Sequence, residues 1–331
     1  MSDPAPARTG VETRAVAPAD ADLRLDRWFK RHYPQLGFGH LARLLRTGQV
    51  RVDGKRAKPG QRLAAGQQIR VPPLDAAAAA STAPARRAPA AVADADARAL
   101  QAAVIYQDDD IIAINKPSGL AVQGGSGTRR HVDGMLDALR FDAAERPRLV
   151  HRLDKDTSGV LVLARHAAMA ARLASLFRGR DVAKTYWALV AGVPEDMRGE
   201  ISLVLAKRPG AGGEKMVADA EGLPATTVYE VAEAIGNRMA WLVLRPRTGR
   251  THQLRVHCEA LGTPIVGDGK YGGSAAFIDG VANRLHLHAR RIAFRHPENG
   301  RPVAIEAPLT GHMLETWRFL GLDPDAEPST S

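Results

Sequence analysis

One cysteine, Cys258, is all the chain has in 331 residues, which excludes an intrachain disulfide framework and a Cys-cluster zinc site and points to a reducing cytoplasm. Long apolar runs are missing too: none approaches the ~18 residues that a membrane-spanning helix needs, so no membrane association is expected. Met1 to Ala21 carries Asp3, Glu12 and Asp20 and has no apolar core, so it does not read as a secretory signal. Nor is it acid-poor and Arg-rich like a transit peptide. Acidic charge is scarce in one place. Between Arg24 and Pro72 only Asp26 and Asp53 stand against twelve Lys/Arg, a local charge of +10 that equals the formal charge of the whole chain. The rest is near neutral, and basic charge concentrated on a small unit is the footprint of a nucleic-acid binder.

That unit has a readable pattern. Leu25, Trp28 and Phe29 form an i, i+3, i+4 stripe, with Arg27, Lys30 and Arg31 on the other face, and Pro34 ends the helix. Leu41, Leu44 and Leu45 form a second stripe, with Arg43 and Arg46 outward and Gly48 as its stop. Val50-Arg51-Val52 alternates as a strand, Asp53-Gly54 is a hairpin signal running into Lys55, and Ile69-Arg70-Val71 closes the module. The pattern over residues 23–73 resembles the S4 RNA-binding domain, which implies RNA contacts from Arg27, Arg43, Arg46, Arg51 and Lys55. Residues 1–22 and 323–331 are expected to be disordered. The Ala76–Ala80 run and the prolines after it make residues 74–100 a flexible linker.

Residues 101–322 read as a second domain. Val104–Tyr106 and Ile111–Ile114 are strands joined by an acidic turn, and Asn115-Lys116-Pro117-Ser118-Gly119 follows as a tight turn. Gly124-Gly125-Ser126-Gly127 is a loop rather than a phosphate cradle, since no Walker Lys-Ser/Thr pair follows. A short helix around Met135–Leu139 leads to His151-Arg152-Leu153-Asp154-Lys155-Asp156-Thr157-Ser158-Gly159. This polar stretch lies between the apolar Leu149-Val150 and Val160–Ala164. A helix spans residues 167–178. In the strand Ala183–Gly192, Lys184, Tyr186 and Ala188 share one face, and Thr185, Trp187 and Leu189 the other. Short strands follow at 201–206, 226–231 and 240–244. Thr251 is placed as the cap of a helix that buries Leu254, Cys258 and Leu261, with Arg255 at the edge of that stripe. Strands at 285–289 and 303–305 precede a last helix near 313–320. Many short strands with few helices predict a mixed α+β domain with a mainly antiparallel sheet, preceded by the small α/β module.

Several chemistries fit poorly. His252, His257, Cys258, His286 and His288 have no helical i, i+4 ligand pair and no acidic partner in sequence, so no metal site is expected. Ser158 is not in a Gly-x-Ser-x-Gly elbow. Asp156 is too close to Asp154 to face it across a sugar as a glycosidase pair would. What remains is one carboxylate, Asp154, in a loop at a strand end, with a basic module attached.

The stretch at 151–159 resembles the signature of the large ribosomal-RNA pseudouridine synthases. Three further segments match it in order: Asn115–Gly119, Lys184-Thr185-Tyr186, and Thr248–His257. Gly124–Gly127, Asn283-Arg284-Leu285 and Ile305–Pro308 resemble the type called C, although that family commonly has His where Gln123 stands here. The resemblance implies isomerisation of uridines of 23S rRNA, free or in a pre-ribosomal large-subunit particle, by a cytoplasmic monomer. The reaction is redox-neutral and implies no cofactor. It also implies roles for residues. Asp154 is the catalytic carboxylate, as nucleophile or as base. Arg255 is its ion-pair partner. Tyr186 packs on the target base, its phenol available to the C5 proton. Arg152 fills the place that the base vacates, and Leu287 lines the base pocket. His151 is expected to be a structural hydrogen-bonder, and Lys155 to Gly159 to shape the turn. The alternatives are a D-type or tRNA-directed synthase, and a ribosome-assembly RNA-binding protein without catalysis.

Overall fold

The computed structural model describes residues 10–74 and 94–326, apart from 35, 125–127, 129, 180 and 211–212. Most of the expected linker (75–93), the first nine residues, most of the Gly124–Gly127 loop and the end of the tail lie outside the described residues. The chain divides into two units, Met1–Ala91 and Val92–Ser331.

In the first unit, β1 (Glu12–Ala15), α1 (Leu25–His32), α2 (Phe38–Arg46), β2 (Arg51–Val52), β3 (Lys55–Arg56) and β4 (Gln68–Val71) follow in order. The strands form an antiparallel sheet in the order β1-β4-β2-β3. Leu25, Trp28, Phe29, Leu41, Leu44 and Leu45 fill the core against Val50, Val52, Ile69 and Val71, as both helical stripes predict. Asp53 and Gly54 take positive φ, as the hairpin requires. The expectation of disorder through residue 22 is corrected: Glu12–Ala15 pairs with β4, and Val16 is buried behind it. An edge strand that leaves Thr13, Arg14 and Ala15 exposed carries no apolar alternation to announce itself.

In the second unit the linker also proves shorter than expected, because Asp94–Ala102 is helical (α3). Only Leu100 of α3 is buried, so the helix rests on intrinsic propensity and carries no visible stripe. The remaining elements are β5 (Val104–Gln107), β6 (Ile111–Lys116), α4 (Val132–Met135), β7 (Arg148–Leu149), β8 (Ser158–Ala164), α5 (Ala167–Arg178), β9 (Ala183–Ala191), β10 (Arg198–Gly210), β11 (Gly213–Ala218), β12 (Leu223–Ile235), β13 (Met239–Pro246), α6 (Gln253–Ala260), β14 (Leu287–Arg295), β15 (Pro302–Glu306) and α7 (Gly311–Leu320). The described strands form one sheet of eleven, with the path β11-β10-β12-β13-β9-β14-β8-β6-β5, while β15 pairs with β14 and β7 with β8. All its pairings are antiparallel except β14 with β8.

Alternation along the strands sorts side chains into layers. Ile112 and Ile114 pack with Leu161, Leu163, Val132 and Met135. Ile111 and Ala113 pack with Val160, Val162 and the α5 residues Met169 and Leu173. Along β9, Ala188 and Val190 meet Leu254 and Cys258 of α6, and Trp187 and Leu189 meet Met313 and Trp317 of α7. The parallel crossing of β14 and β8 is tight. Gly159 has φ +106, and a Cβ there would lie 2.3 Å from the Ala289 carbonyl oxygen, so only glycine lets β8 approach at this point.

Buried histidines tie the layers together. His288 accepts a 2.8 Å hydrogen bond from Ser158 Oγ at Nδ1 and donates from Nε2 to Ala307 O at 3.0 Å. His286 Nε2 lies 2.9 Å from Thr316 Oγ1. Burial holds the imidazoles of His257, His286 and His288 at a pKa of about 4. Burial, with Lys184 nearby, takes His151 to about 3. These rings are neutral when folded and charge near pH 6.5 when unfolded, so stability is lost as pH falls below 6.5. The expected loss is on the order of 1 kcal/mol per histidine at pH 5, a fall in Tm of about 10 °C between pH 7 and pH 5. Circular-dichroism melts across that range check it; an unchanged Tm would contradict neutral burial.

Candidate active site

The loop that carries Asp154 is anchored from below. Lys116 ends β6 with 0% exposure, and its ammonium donates to Pro117 O (2.9 Å), Leu120 O (2.8 Å) and Lys155 O (3.0 Å). Gly119 N donates to Lys155 O at 3.0 Å, and Ser118 Oγ to Asp156 O at 2.8 Å. The Asn115–Gly119 turn therefore grips the backbone just beyond Asp154. Burial lowers the Lys116 pKa to about 8, with Asp156 and Asp154 opposing it, so the ammonium keeps its three donors at neutral pH. On the far side Thr157 N donates to Asp154 O at 3.2 Å, and Thr157 and Ser158 are buried. Lys155 to Gly159 thus shape the turn, as expected. His151 accepts from Val162 N at 2.8 Å and stacks on Phe177 with centroids 4.2 Å apart.

Asp154 is half-buried where two cavities meet. One, of about 350 Å³, is lined by Arg152, Asp154, Tyr186, Leu254, Arg255 and Leu287 among others. All five catalytic-domain residues singled out in the sequence therefore line one cavity. The other, of about 750 Å³, is polar, with Ser118, Gln123, Asp268, Lys270 and Arg284 on its walls. Leu287 is buried, as a pocket floor requires, and Arg152 is exposed at the rim. Tyr186 projects from β9. Burial first, and then the charge of Asp154, push its phenol well above the ordinary tyrosine pKa. A phenol that stays protonated is a poor base for the C5 proton, so of the two roles expected for Tyr186 the packing one fits.

Arg255 departs from expectation. Its guanidinium makes a bidentate pair with Asp268, Nε–Oδ2 at 2.7 Å and Nη2–Oδ1 at 2.6 Å, and among the described ion pairs none joins it to Asp154. Asp268 is buried and would be an unpaired internal charge without Arg255. Asp268 follows Gly267, whose φ is +78 and whose Cβ, if present, would lie 1.9 Å from Arg284 O. Among the described ion pairs Asp154 meets His252, with Nε2 3.7 Å from Oδ2. The Thr251 cap is corrected as well. α6 starts at Gln253 with His252 in the cap position, at φ +53 and without a side-chain cap bond. Gln253 organises the turn instead: Oε1 accepts from Arg250 N (3.0 Å) and Thr248 Oγ1 (2.7 Å), and Nε2 donates to Thr226 O at 3.0 Å. From the sequence Asp268 drew no notice, Lys116 only a place in a matching turn, and His252 a place in a matching segment and a metal-ligand reading that fits poorly. Their signals were a Lys-Pro beside a tight turn, a His inside the Thr248–His257 segment, and an acid between two glycines.

A third cavity, of about 1050 Å³, adjoins the smaller one along Phe177, Lys184 and Thr248–Arg250. Arg178, Arg245, Arg247 and Arg291 also line it, against one acid, Asp181. In the first unit Arg27, Arg43, Arg46, Arg51 and Lys55 are all exposed. Among the described residues no helix is long and apolar enough to cross a membrane.

A family model described as RNA pseudouridylate synthase matches residues 110–260. The chain is 37% identical to ribosomal large subunit pseudouridine synthase C of Escherichia coli (strain K12) over 308 residues, 90% of this chain and 93% of that protein. It is 40% identical to the mitochondrial RNA pseudouridine synthase 4 of Arabidopsis thaliana, over 75% of this chain and 60% of that one. Among solved structures it is similar to human RNA pseudouridylate synthase domain containing 4, with a TM-score of 0.57 and 31% identity over 69% of this chain and 96% of that one.

Removing the anchoring ammonium tests the construction of the site. Lys116→Met leaves Pro117 O and Leu120 O without their donor, while Lys155 O keeps Gly119 N, and is expected to cost about 2–5 kcal/mol. Thermal melts of the purified protein read the loss; a Tm within 2 °C of wild type, by the ~2–4 °C per kcal/mol typical at this size, would contradict the anchor.

Proposed function

The chain belongs to the RNA pseudouridine synthase family, and we propose that it isomerises uridines of 23S rRNA, with Asp154 as the catalytic carboxylate. It is an isomerase. The C1′–N1 bond of uridine breaks, the base turns, C5 bonds to C1′, the C5 proton leaves, and N1 ends protonated. Atoms and electrons balance without a cofactor. Asp154 carries the reading, because it stands at the junction of an apolar cavity and a polar one. An ionised carboxylate there meets the ribose while the base packs between Tyr186 and Leu287. The course through C1′ and the course through C2′ both start from that ionised form.

A uridine in a stack cannot reach the site, so it must flip out. Arg152, exposed at the rim, has the planar group to fill the gap it leaves. The arginines at the third cavity suit the flanking phosphates. The first unit acts as an S4-like RNA-binding module through its exposed arginines. The high identity to synthase C across both units favours large-subunit rRNA over tRNA. We assign the protein to the cytoplasm, acting as a monomer on rRNA or on a large-subunit precursor.

Carbodiimide mapping of rRNA and tRNA from a deletion strain is expected to show specific 23S pseudouridines missing. Loss confined to tRNA would redirect the target, and full retention would remove the assignment. Complementation with Asp154→Asn should restore none of the missing sites.

For the first unit, Arg43→Glu with Arg46→Glu should weaken RNA binding and reduce the slope of log K against log salt by about 2. Titrations at several salt concentrations read it, and an unchanged slope would place RNA elsewhere.

A further inference from the structure

His252 and Tyr271 are unused by the chemistry above, yet His252 lies beside Asp154 and Tyr271 lies behind His252. His252 sits at φ +53, a left-handed conformation that costs a non-glycine residue about 1–2 kcal/mol, so its surroundings must hold it there. What holds it is Tyr271. The phenol oxygen lies 2.7 Å from His252 Nδ1, and the two rings meet edge to face at 85°. The same oxygen accepts from the backbone N–H of Met216 on β11 at 3.3 Å. Its own proton is therefore available for Nδ1. A ring that accepts at Nδ1 carries its proton on Nε2, and Nε2 is the atom 3.7 Å from Asp154 Oδ2.

Tyr271 is itself fixed on every side. It is buried, the Arg255 guanidinium and the Lys215 ammonium each lie 4.9 Å from its ring centroid, and its backbone N–H donates to Asp268 at 3.2 Å. A continuous path thus runs from the edge hairpin through Tyr271 and His252 to Asp154.

We propose that His252, held as the neutral Nε2–H tautomer by Tyr271, is a positioning residue that aims a single N–H at the Asp154 carboxylate and keeps it oriented for the ribose. The proposal rests on Asp154 being the catalytic carboxylate. At 3.7 Å the contact is longer than a hydrogen bond, and such contacts tighten when substrate packs into a site. A neutral donor serves here where a cation would not. An imidazolium would form an ion pair with Asp154 and withdraw the lone pair that the reaction needs.

The groups facing His252 decide its charge. Burial opposes protonation most; Asp154, ahead of β8, favours it; Arg255 on α6 and Lys270 beyond it oppose it; Asp268 favours it. The net effect holds the ring below the ordinary histidine pKa. Activity should therefore have an acid limb, below pH 6.5, governed by this ring.

The experiment follows tritium release from C5-labelled 23S rRNA transcript by the full-length protein across pH 5–8. Tyr271→Phe keeps the ring and loses only the hydroxyl. Its kcat should fall about tenfold, the loss of one buried hydrogen bond, with KM within about twofold, and the acid limb should move to higher pH because Nδ1 loses its donor. His252→Asn tolerates the left-handed backbone and cannot titrate, so that limb should vanish; this profile decides the matter should Tyr271→Phe not fold. Unchanged kcat and pH profile in Tyr271→Phe, or a retained limb in His252→Asn, would overturn the proposal. Wild-type protein that releases no tritium, or Asp154→Asn that does, would instead overturn the functional reading on which it rests.

Discussion

A buried ammonium with three carbonyl partners determines where the loop that carries Asp154 can lie. Lys116 ends the strand that carries Ile111–Ile114, among the most deeply buried residues of the unit. A charge in that position is tolerable only if each N–H is met, and the chain meets them with carbonyls from two segments, Pro117–Leu120 and Lys155. The 116–120 turn and the 151–159 loop are thereby bound to one point, although about forty residues separate them. The close approach of β8 to β14 at Gly159 fixes the other end of the loop. Asp154 lies between these constraints, so its position follows from backbone accounting and does not depend on its own side-chain contacts.

The charges around Asp154 are arranged one step away from it. Arg255 is committed to Asp268 by two short hydrogen bonds, and Lys116 to the carbonyls. Their fields still reach the carboxylate, as the opposing influence of Asp154 on the Lys116 pKa shows, but neither guanidinium nor ammonium occupies its oxygens. A bidentate arginine on Asp154 itself would block its oxygens. With Asp268 as the arginine's partner, the Asp154 oxygens stay open to the cavities.

Much of this was legible in the residues. The stripes of α1 and α2, the Asp53-Gly54 hairpin and the two-sided alternation of β9 are local periodicities, and each appears where the pattern places it. Asp154, Tyr186, Arg152, Arg255 and Leu287, singled out by resemblance, line one cavity. What was not legible depends on partners distant in sequence. The strand Glu12–Ala15 exists because β4 offers an edge, not because its own residues alternate. The helix Asp94–Ala102 has one inward residue and so no stripe. The start of α6 was misplaced because Gln253, reaching across to Thr226, does the work expected of a capping Thr251. The choice of Arg255 between two carboxylates could not be read from spacing, since Asp154 and Asp268 both lie in loops whose approach only the sheet decides.

The charges that line the site attract a polyanion from within the second unit itself. Asp268 is committed to Arg255, and burial holds the His252 ring below the ordinary histidine pKa. Against Asp154 and Asp156 the same two cavities present Arg152, Lys155, Lys184, Arg250, Lys270 and Arg284 among others, and the third adds Arg247. Walls of one sign focus a long-range field that salt screens. Asp154 need not draw in an anionic partner itself, since the cations around it do so.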